Sequence, residues 1–324
     1  MKESAAVSTP VVSVVMPTFN RLEYLRPAVE SVLAQTLTQW ELLIADDGSG
    51  EGTKTYLRSL HDPRVKVIWL GHSGRPSAVT NVALRAARGE YVAFLDSDDL
   101  WLPNKLEAQV ASLRRHRQCG WSYTRFALID TSARRIVGTR ARNWPAPSGW
   151  ILEKLLTGQT VIAQPSVMVR RALLDALGLF DEDLVMCYDD ELWFRLAAKS
   201  EIDGVEEPLT LVRRHDQHSG SDIIAWRDRR RVFEKLLSKG ADGQVGKLLR
   251  RLRAEMAAGL ARSQVISGKR LDALRTVLAS APYSWRYAQW WRGTSRAAAR
   301  ALAPAALRRL VVRLRHRHPR ALSA

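Results

Sequence analysis

The feature that most constrains this chain is a repeating unit. A short apolar run ends in a polar cluster and is followed by a segment of helical period. Residues 11–16, VVSVVM, are a continuous apolar run closed by Pro17-Thr18-Phe19-Asn20. Such a run predicts a strand buried on both faces, central in a parallel sheet. Leu22, Leu25, Val29, Val32 and Leu33 then follow the 3.6 period, with Asn20 and Glu23 spaced as a capping box. A second run, Leu42 to Ala45, ends in Asp46-Asp47-Gly48-Ser49, and a third covers Val65 to Leu70. A helical stretch over 77–88 stops at Gly89. A fourth run, Tyr91 to Leu95, ends in Asp96-Ser97-Asp98-Asp99. Strands alternating with helices imply right-handed crossovers and a mostly parallel central sheet flanked by helices. Three runs end in polar clusters, and open α/β sheets bind ligands at that edge.

Further on, residues 120–128 and 161–169 read as strands, 189–199 as a helix and 205–213 as a strand. After about residue 225 strand signals stop and Leu/Ala/Arg helices take over, with a helical hairpin expected over 247–280. The expected division is 1–222 for the α/β domain and 223–324 for a basic α-helical C-terminal region, the boundary falling at 218–226.

Charge follows the same division. The 324 residues carry a formal net charge of +17, yet residues 225–324 hold 24 Lys and Arg against 5 Asp and Glu. The first 224 residues are near neutral. Two distant cysteines, Cys119 and Cys187, fit neither a disulfide framework nor a zinc site. The polar first ten residues lack the apolar run of a secretory leader, and no apolar stretch of about 18 residues occurs. A cytoplasmic protein, peripheral at the inner face of the plasma membrane, is the expectation.

The sharpest local signal is Asp96-Ser97-Asp98. Two carboxylates just past a buried strand can aim at one site, and hard cations such as Mn²⁺ or Mg²⁺ prefer carboxylates together with substrate phosphates. An acidic turn is more often a solvated loop, and its position on the strand end is what raises its weight. Asp46-Asp47-Gly48-Ser49 reads equally as a β-turn or as a carboxylate that accepts from a base N–H or a ribose hydroxyl.

The run SVVMPTFNRLEYLRPAVESVLAQTLTQWELLIADDGSGEGT, followed by NVALRAARGEYVAFLDSDDLWLPNKL, closely resembles the inverting family 2 glycosyltransferases of GT-A fold. The resemblance covers residues 11–110 and weakens toward 220. It implies a nucleotide-sugar donor, by family precedent a UDP sugar, with Pro17, Thr18 and Asn20 at its pocket. Asp47 would read the base, Asp96 would bond the ribose, and Asp98 would ligate the metal. Val79-Thr80-Asn81 departs from the family's Ala-Arg-Asn, and Arg75 is the candidate to restore the lost charge. Tyr188-Asp189-Asp190-Glu191-Leu192-Trp193-Phe194-Arg195 resembles the family's Glu-Asp-x-Asp-Leu-Trp-x-Arg box. Position by position Asp189 is the general base, and a shift of one residue would give Asp190. Acidic residues also gather in first helical turns merely to complement the dipole. Arg213-Arg214-His215-Asp216-Gln217-His218 resembles the closing Arg-x-His segment, with His215 the better metal ligand and His218 the lesser. The absence of the processive synthases' Gln-x-x-Arg-Trp box argues for transfer of one sugar. Trp101 and Trp193 are candidates either for stacking on a sugar or for simple packing.

From residue 304 a helix can be drawn with Leu307, Leu310, Val311 and Leu314 on one face and arginines around it, preceded by Trp285, Trp290 and Trp291. It reads as an element that lies on an anionic membrane surface, or as a basic cap. The helices before it could pack within the chain or form a homodimer. The acceptor would be a saccharide or a lipid-linked sugar. Two rivals remain. A sugar nucleotidyltransferase would need a Gly-rich loop where PTFNRLEY stands. A non-catalytic membrane- or nucleic-acid-binding protein would leave the acidic strand ends unexplained.

Overall fold

The computed structural model describes residues 9–136, 146–214 and 222–302. The chain divides into two compact units, 1–218 and 219–324. In the first unit the strands are β1 (Val12–Thr18), β2 (Trp40–Asp46), β3 (Val65–Trp69), β4 (Tyr91–Phe94), β5 (Leu100–Trp101), β6 (Cys119–Ile129), β7 (Val167–Arg170) and β8 (Glu201–Arg213). The helices between them are α1 (Leu22–Leu33), α2 (Glu51–Arg58), α3 (Pro76–Ala86), α4 (Lys105–Arg115), α5 (Leu152–Leu156), α6 (Arg171–Leu177) and α7 (Tyr188–Ala197).

One sheet holds all eight strands in the order β3-β2-β1-β4-β7-β6-β8-β5. It is mixed. The β3-β2-β1-β4 half and the β6–β8 pair are parallel, while β7 pairs antiparallel with both β4 and β6, and β5 with β8. Alternation along β1 and β2 sorts side chains to two faces. Val12, Val14, Met16, Leu42 and Ile44 pack with Leu25, Val29, Leu106 and Val110 of α1 and α4. Val15, Leu43 and Ala45 pack on the other face with Val79 and Ala83 of α3 and Leu192 and Trp193 of α7. Both faces of the central strands are therefore covered, which is why their sequences are continuously apolar.

Three expectations need correction. The stretch 161–169 forms a strand only over Val167–Arg170, because Pro165 sits in a 3-10 turn, Gln164–Ser166, and offers no N–H to a ladder. The capping box does not form. Asn20 adopts a left-handed φ of 50° and its Oδ1 accepts from Gly50 N at 2.7 Å, leaving Arg21 to precede α1. Gly89 does not stop α3, which ends at Ala86; a Cβ at Gly89 would fall 2.5 Å from Ser13 N, so its lack of a side chain lets β4 enter close beside β1.

The second unit is helical: α8 (Asp222–Ser238), α9 (Gly243–Ile266), α10 (Arg270–Ser284) and α11 (Ala288–Leu302). The long α9 packs against each of the other three. Trp290 is buried here, and its indole N–H donates to Ser280 Oγ at 2.9 Å. Among the described residues no helix is long and apolar enough to cross a membrane. The helix drawn from residue 304 lies outside the described residues.

Candidate active site

The parallel register brings the polar strand ends to one edge. Thr18 pairs with Asp46 across β1 and β2, and Leu95 N donates to Val15 O at 3.0 Å, so the Asp96–Asp99 turn leaves the sheet beside Pro17. Thr18 is buried and its hydroxyl has no partner, as has Asp46 Oδ1. Two orphaned polar atoms at one edge are what a polar ligand would satisfy.

The acidic turn is tightly held. Gln164 Nε2 donates to Asp96 Oδ1 at 2.8 Å, and Arg21 pairs with Asp98. Asp99, buried, accepts from Arg213 N at 2.7 Å. The Arg213 guanidinium donates to the carbonyls of Asp98 (2.8 Å), Asp130 (2.9 Å) and Thr131 (3.0 Å), tying the turn to the end of β6. Burial first, then the charges of Asp98 and Asp189, push the Asp96 carboxyl up to about 8. Burial likewise raises Asp99, with Asp98 and Asp96 adding to it. Asp189, in the first turn of α7, is thus electrostatically part of this cluster. Burial and then the charges of Asp96, Asp189 and Asp98 push the Tyr188 phenol well up, so it stays a proton donor. Among the α7 acids, Glu191 is committed elsewhere: Arg195 chelates it from 2.8–2.9 Å and also donates to the carbonyls of Leu177, Gly178 and Leu179.

Asp47 is more occupied than expected. Its Oδ1 accepts from Ser73 N (2.8 Å) and Ser73 Oγ (2.9 Å), and its Oδ2 from Gly74 N (3.0 Å), with His72 Nδ1 also 3.0 Å from Oδ2. Burial raises this carboxyl, but the Ser73 and Gly74 hydrogen bonds outweigh it and hold Asp47 below the usual range. Those contacts fill the roughly four acceptor positions of a carboxylate. His72 also stacks on Phe19, ring centroids 4.0 Å apart. Arg75, exposed, follows this loop and helps lower Glu182. Thr80 is buried and its hydroxyl donates to Pro76 O at 2.8 Å.

Trp101 and Trp193 are packing residues. Trp193 is 1% exposed among Phe94, Trp121 and Phe180, and Trp101 is 4% exposed with its N–H on Pro165 O at 2.7 Å. His215 and His218 lie outside the described residues. Tyr188 and Arg213 open the two family-like segments of the second half but carry no site role in the sequence reading, and Arg21 and Gln164 are marked by no local pattern because their partners in the acidic turn lie far along the chain.

Carboxylate oxygens are the donors that hard cations prefer. Asp98 and Asp189 each raise Asp96, and the guanidinium of Arg21 pairs with Asp98. Among the described residues no three His, Cys, Asp or Glu side chains form a closed metal cage. A cation at Asp98 would therefore complete its shell from phosphate oxygens and water, the habit of Mg²⁺-type sites.

The chain belongs to glycosyl transferase family 2, whose description matches residues 13–193. It is similar to the putative teichuronic acid biosynthesis glycosyltransferase TuaG of Bacillus subtilis, 40% identical over 37% of this chain and 48% of that one. The match thus spans about half the length of that relative. It is also 31% identical to the Escherichia coli UDP-Glc:alpha-D-GlcNAc-diphosphoundecaprenol beta-1,3-glucosyltransferase WfgD, over 60% of this chain and 73% of that one. The solved structure of S. aureus TarS 1-349 in complex with UDP shares the fold, with a TM-score of 0.63 at 19% identity over 88% of this chain and 89% of that one.

Proposed function

We propose that this enzyme moves a single sugar from a UDP-linked donor to a saccharide or lipid-linked acceptor, with inversion, in the assembly of a bacterial cell-envelope polysaccharide. The observation that carries this reading is the gathering of Asp96, Asp98 and Asp189 at the edge where Thr18 and Asp46 have unsatisfied oxygens. WfgD, by its name, uses UDP-glucose and a diphosphoundecaprenol-linked acceptor, and TuaG is named as a putative glycosyltransferase of teichuronic acid biosynthesis.

In the displacement the acceptor oxygen bonds to the sugar's anomeric carbon as the bond to the diphosphate breaks, and the acceptor proton passes to Asp189. Asp189 is favoured over Asp190 because its charge is felt by both Asp96 and Tyr188, whereas a neighbour one residue on points about 100° around the helix. A divalent cation, Mn²⁺ or Mg²⁺, held by Asp98 and in the family's pattern by His215, would neutralise charge on the departing diphosphate. Arg21 is its competitor for Asp98. Asp96 would bond a ribose hydroxyl, as the family's pattern implies. Reading of a base by Asp47 requires the 72–74 loop to yield a contact. Pro17, Asn20 and Arg75 complete the donor side, with Asn20 acting through its staple to Gly50. The basic region 223–324 would hold the catalytic domain, 1–222, at an anionic membrane surface.

A panel of nucleotide sugars with Mn²⁺, read by thermal shift and then by product formation, tests this proposal. A UDP sugar should raise the melting temperature and yield free UDP with an acceptor. Turnover of a nucleoside triphosphate with a sugar phosphate would instead establish a nucleotidyltransferase.

A further inference from the structure

The helical unit contains a cavity that the transferase chemistry does not use. It has a volume of about 700 Å³, within the size range of ligand pockets, and opens between the start of α8, the end of α9 and α11. Arg262, Arg296 and Arg300 line it, opposed by the single carboxylate of Asp222, while Trp226 and Ile266 supply apolar wall. Trp226 is fixed in place: its ring lies so close to α9 that a Cβ on Gly259 would fall 2.5 Å from it.

The charges here differ from those elsewhere in the unit. Residues 222–302 hold 18 Lys and Arg against 6 Asp and Glu. Asp228, Glu234, Glu255 and Asp272 are each ion-paired to an arginine beside them on their own helix, Arg227, Arg230, Arg251 and Arg275. Arg262 and Arg296 have no ion pair or hydrogen bond among the described residues. Guanidinium groups held in one concave site match phosphate oxygens in charge and in fork geometry. An indole and an exposed isoleucine at the same mouth suit the first methylenes of an apolar chain.

We propose that this cavity binds the phosphate or diphosphate group of a lipid, with Arg262 and Arg296 on the phosphate oxygens and the chain leaving past Trp226 and Ile266. This goes beyond the transferase reading and stands without it, since none of these residues belongs to the acidic edge.

The test uses the full chain and two probes, inorganic pyrophosphate and phosphatidylcholine vesicles doped with phosphatidic acid. Pyrophosphate should raise the melting temperature of the wild type and compete with its vesicle binding. Arg262→Gln/Arg296→Gln should lose both responses, with vesicle affinity falling about thirtyfold. Arg270→Gln/Arg275→Gln removes the same charge from α10 and should lose less than about threefold. Ala299→Asp, an exposed change at the cavity wall, repeats the loss without touching a buried side chain. Equal losses in the two arginine pairs would overturn the proposal in favour of unspecific adsorption. A pyrophosphate response with no vesicle binding would overturn the lipid assignment. Displacement by an oligonucleotide but not by pyrophosphate would overturn it in favour of nucleic acid.

Discussion

Replacing Asp96 by Asn should stabilise the metal-free protein, a test of whether the acidic edge is built for a ligand rather than for the fold. Burial, with Asp98 and Asp189 nearby, raises the Asp96 carboxyl from 3.8 to about 8. A raised acid binds its proton more tightly folded than unfolded. Its burden on the fold is therefore absent below the unfolded value and grows as pH climbs from about 4 to about 8. Four units at about 1.4 kcal/mol each set a ceiling of about 5–6 kcal/mol. Part of the shift is repulsion that Asp98 and Asp189 relieve by adjusting around the neutral side chain, so a gain of about 2 kcal/mol at pH 8 is expected. At about 2–4 °C per kcal/mol this is a melting point higher by about 4–8 °C. Melting in chelator from pH 5 to pH 8.5 gives the readout. The wild type should lose stability with rising pH more steeply than Asp96→Asn. A variant no more stable than wild type at pH 8, with parallel pH profiles, would refute the reasoning.

Arg195→Met should be among the most damaging single changes outside the site. It strands the buried Glu191 carboxylate and three carbonyls, at a cost of about 3–5 kcal/mol by urea denaturation. Gly89→Ala should cost about 1–3 kcal/mol in the same assay, because its Cβ meets the β1 backbone. Asp98→Ala should abolish Mn²⁺-dependent transfer while leaving the melting point within a few degrees of wild type, and full activity in excess chelator would count against the metal.

Much of the first half was legible in the sequence because its signals are local. A strand buried on both faces reads as an unbroken apolar run, and β1, β2 and β4 each end where polar residues begin. The antiparallel half was less legible. Pro165 and the 3-10 turn before β7 interrupt a run that looks like one strand, and β5 is two residues long. Within the site the carboxylates stand out, but what they bond to does not. Asp96 meets Gln164 across 68 residues, and Asp98 meets Arg21 across 77. Asp47 is the instructive case. Its motif reads equally as a turn or as an acceptor for a ligand, whereas its carboxylate is occupied by the 72–74 loop, and nothing in Asp-Asp-Gly-Ser records a loop 25 residues on. For the tryptophans the structure decides between two open readings: Trp193 lies within the acidic box in sequence, and its side chain is buried in the core.

The central claim is that Asp189 takes the acceptor's proton, and paired Asp189→Asn and Asp190→Asn variants test it most directly. The two differ by one residue on α7, and the change to Asn preserves size and helical context. Turnover should fall by about 10² to 10⁴ in Asp189→Asn, with UDP-sugar affinity nearly unchanged, and by much less in Asp190→Asn. Loss of turnover in Asp190→Asn alone, or in neither variant, would contradict the account.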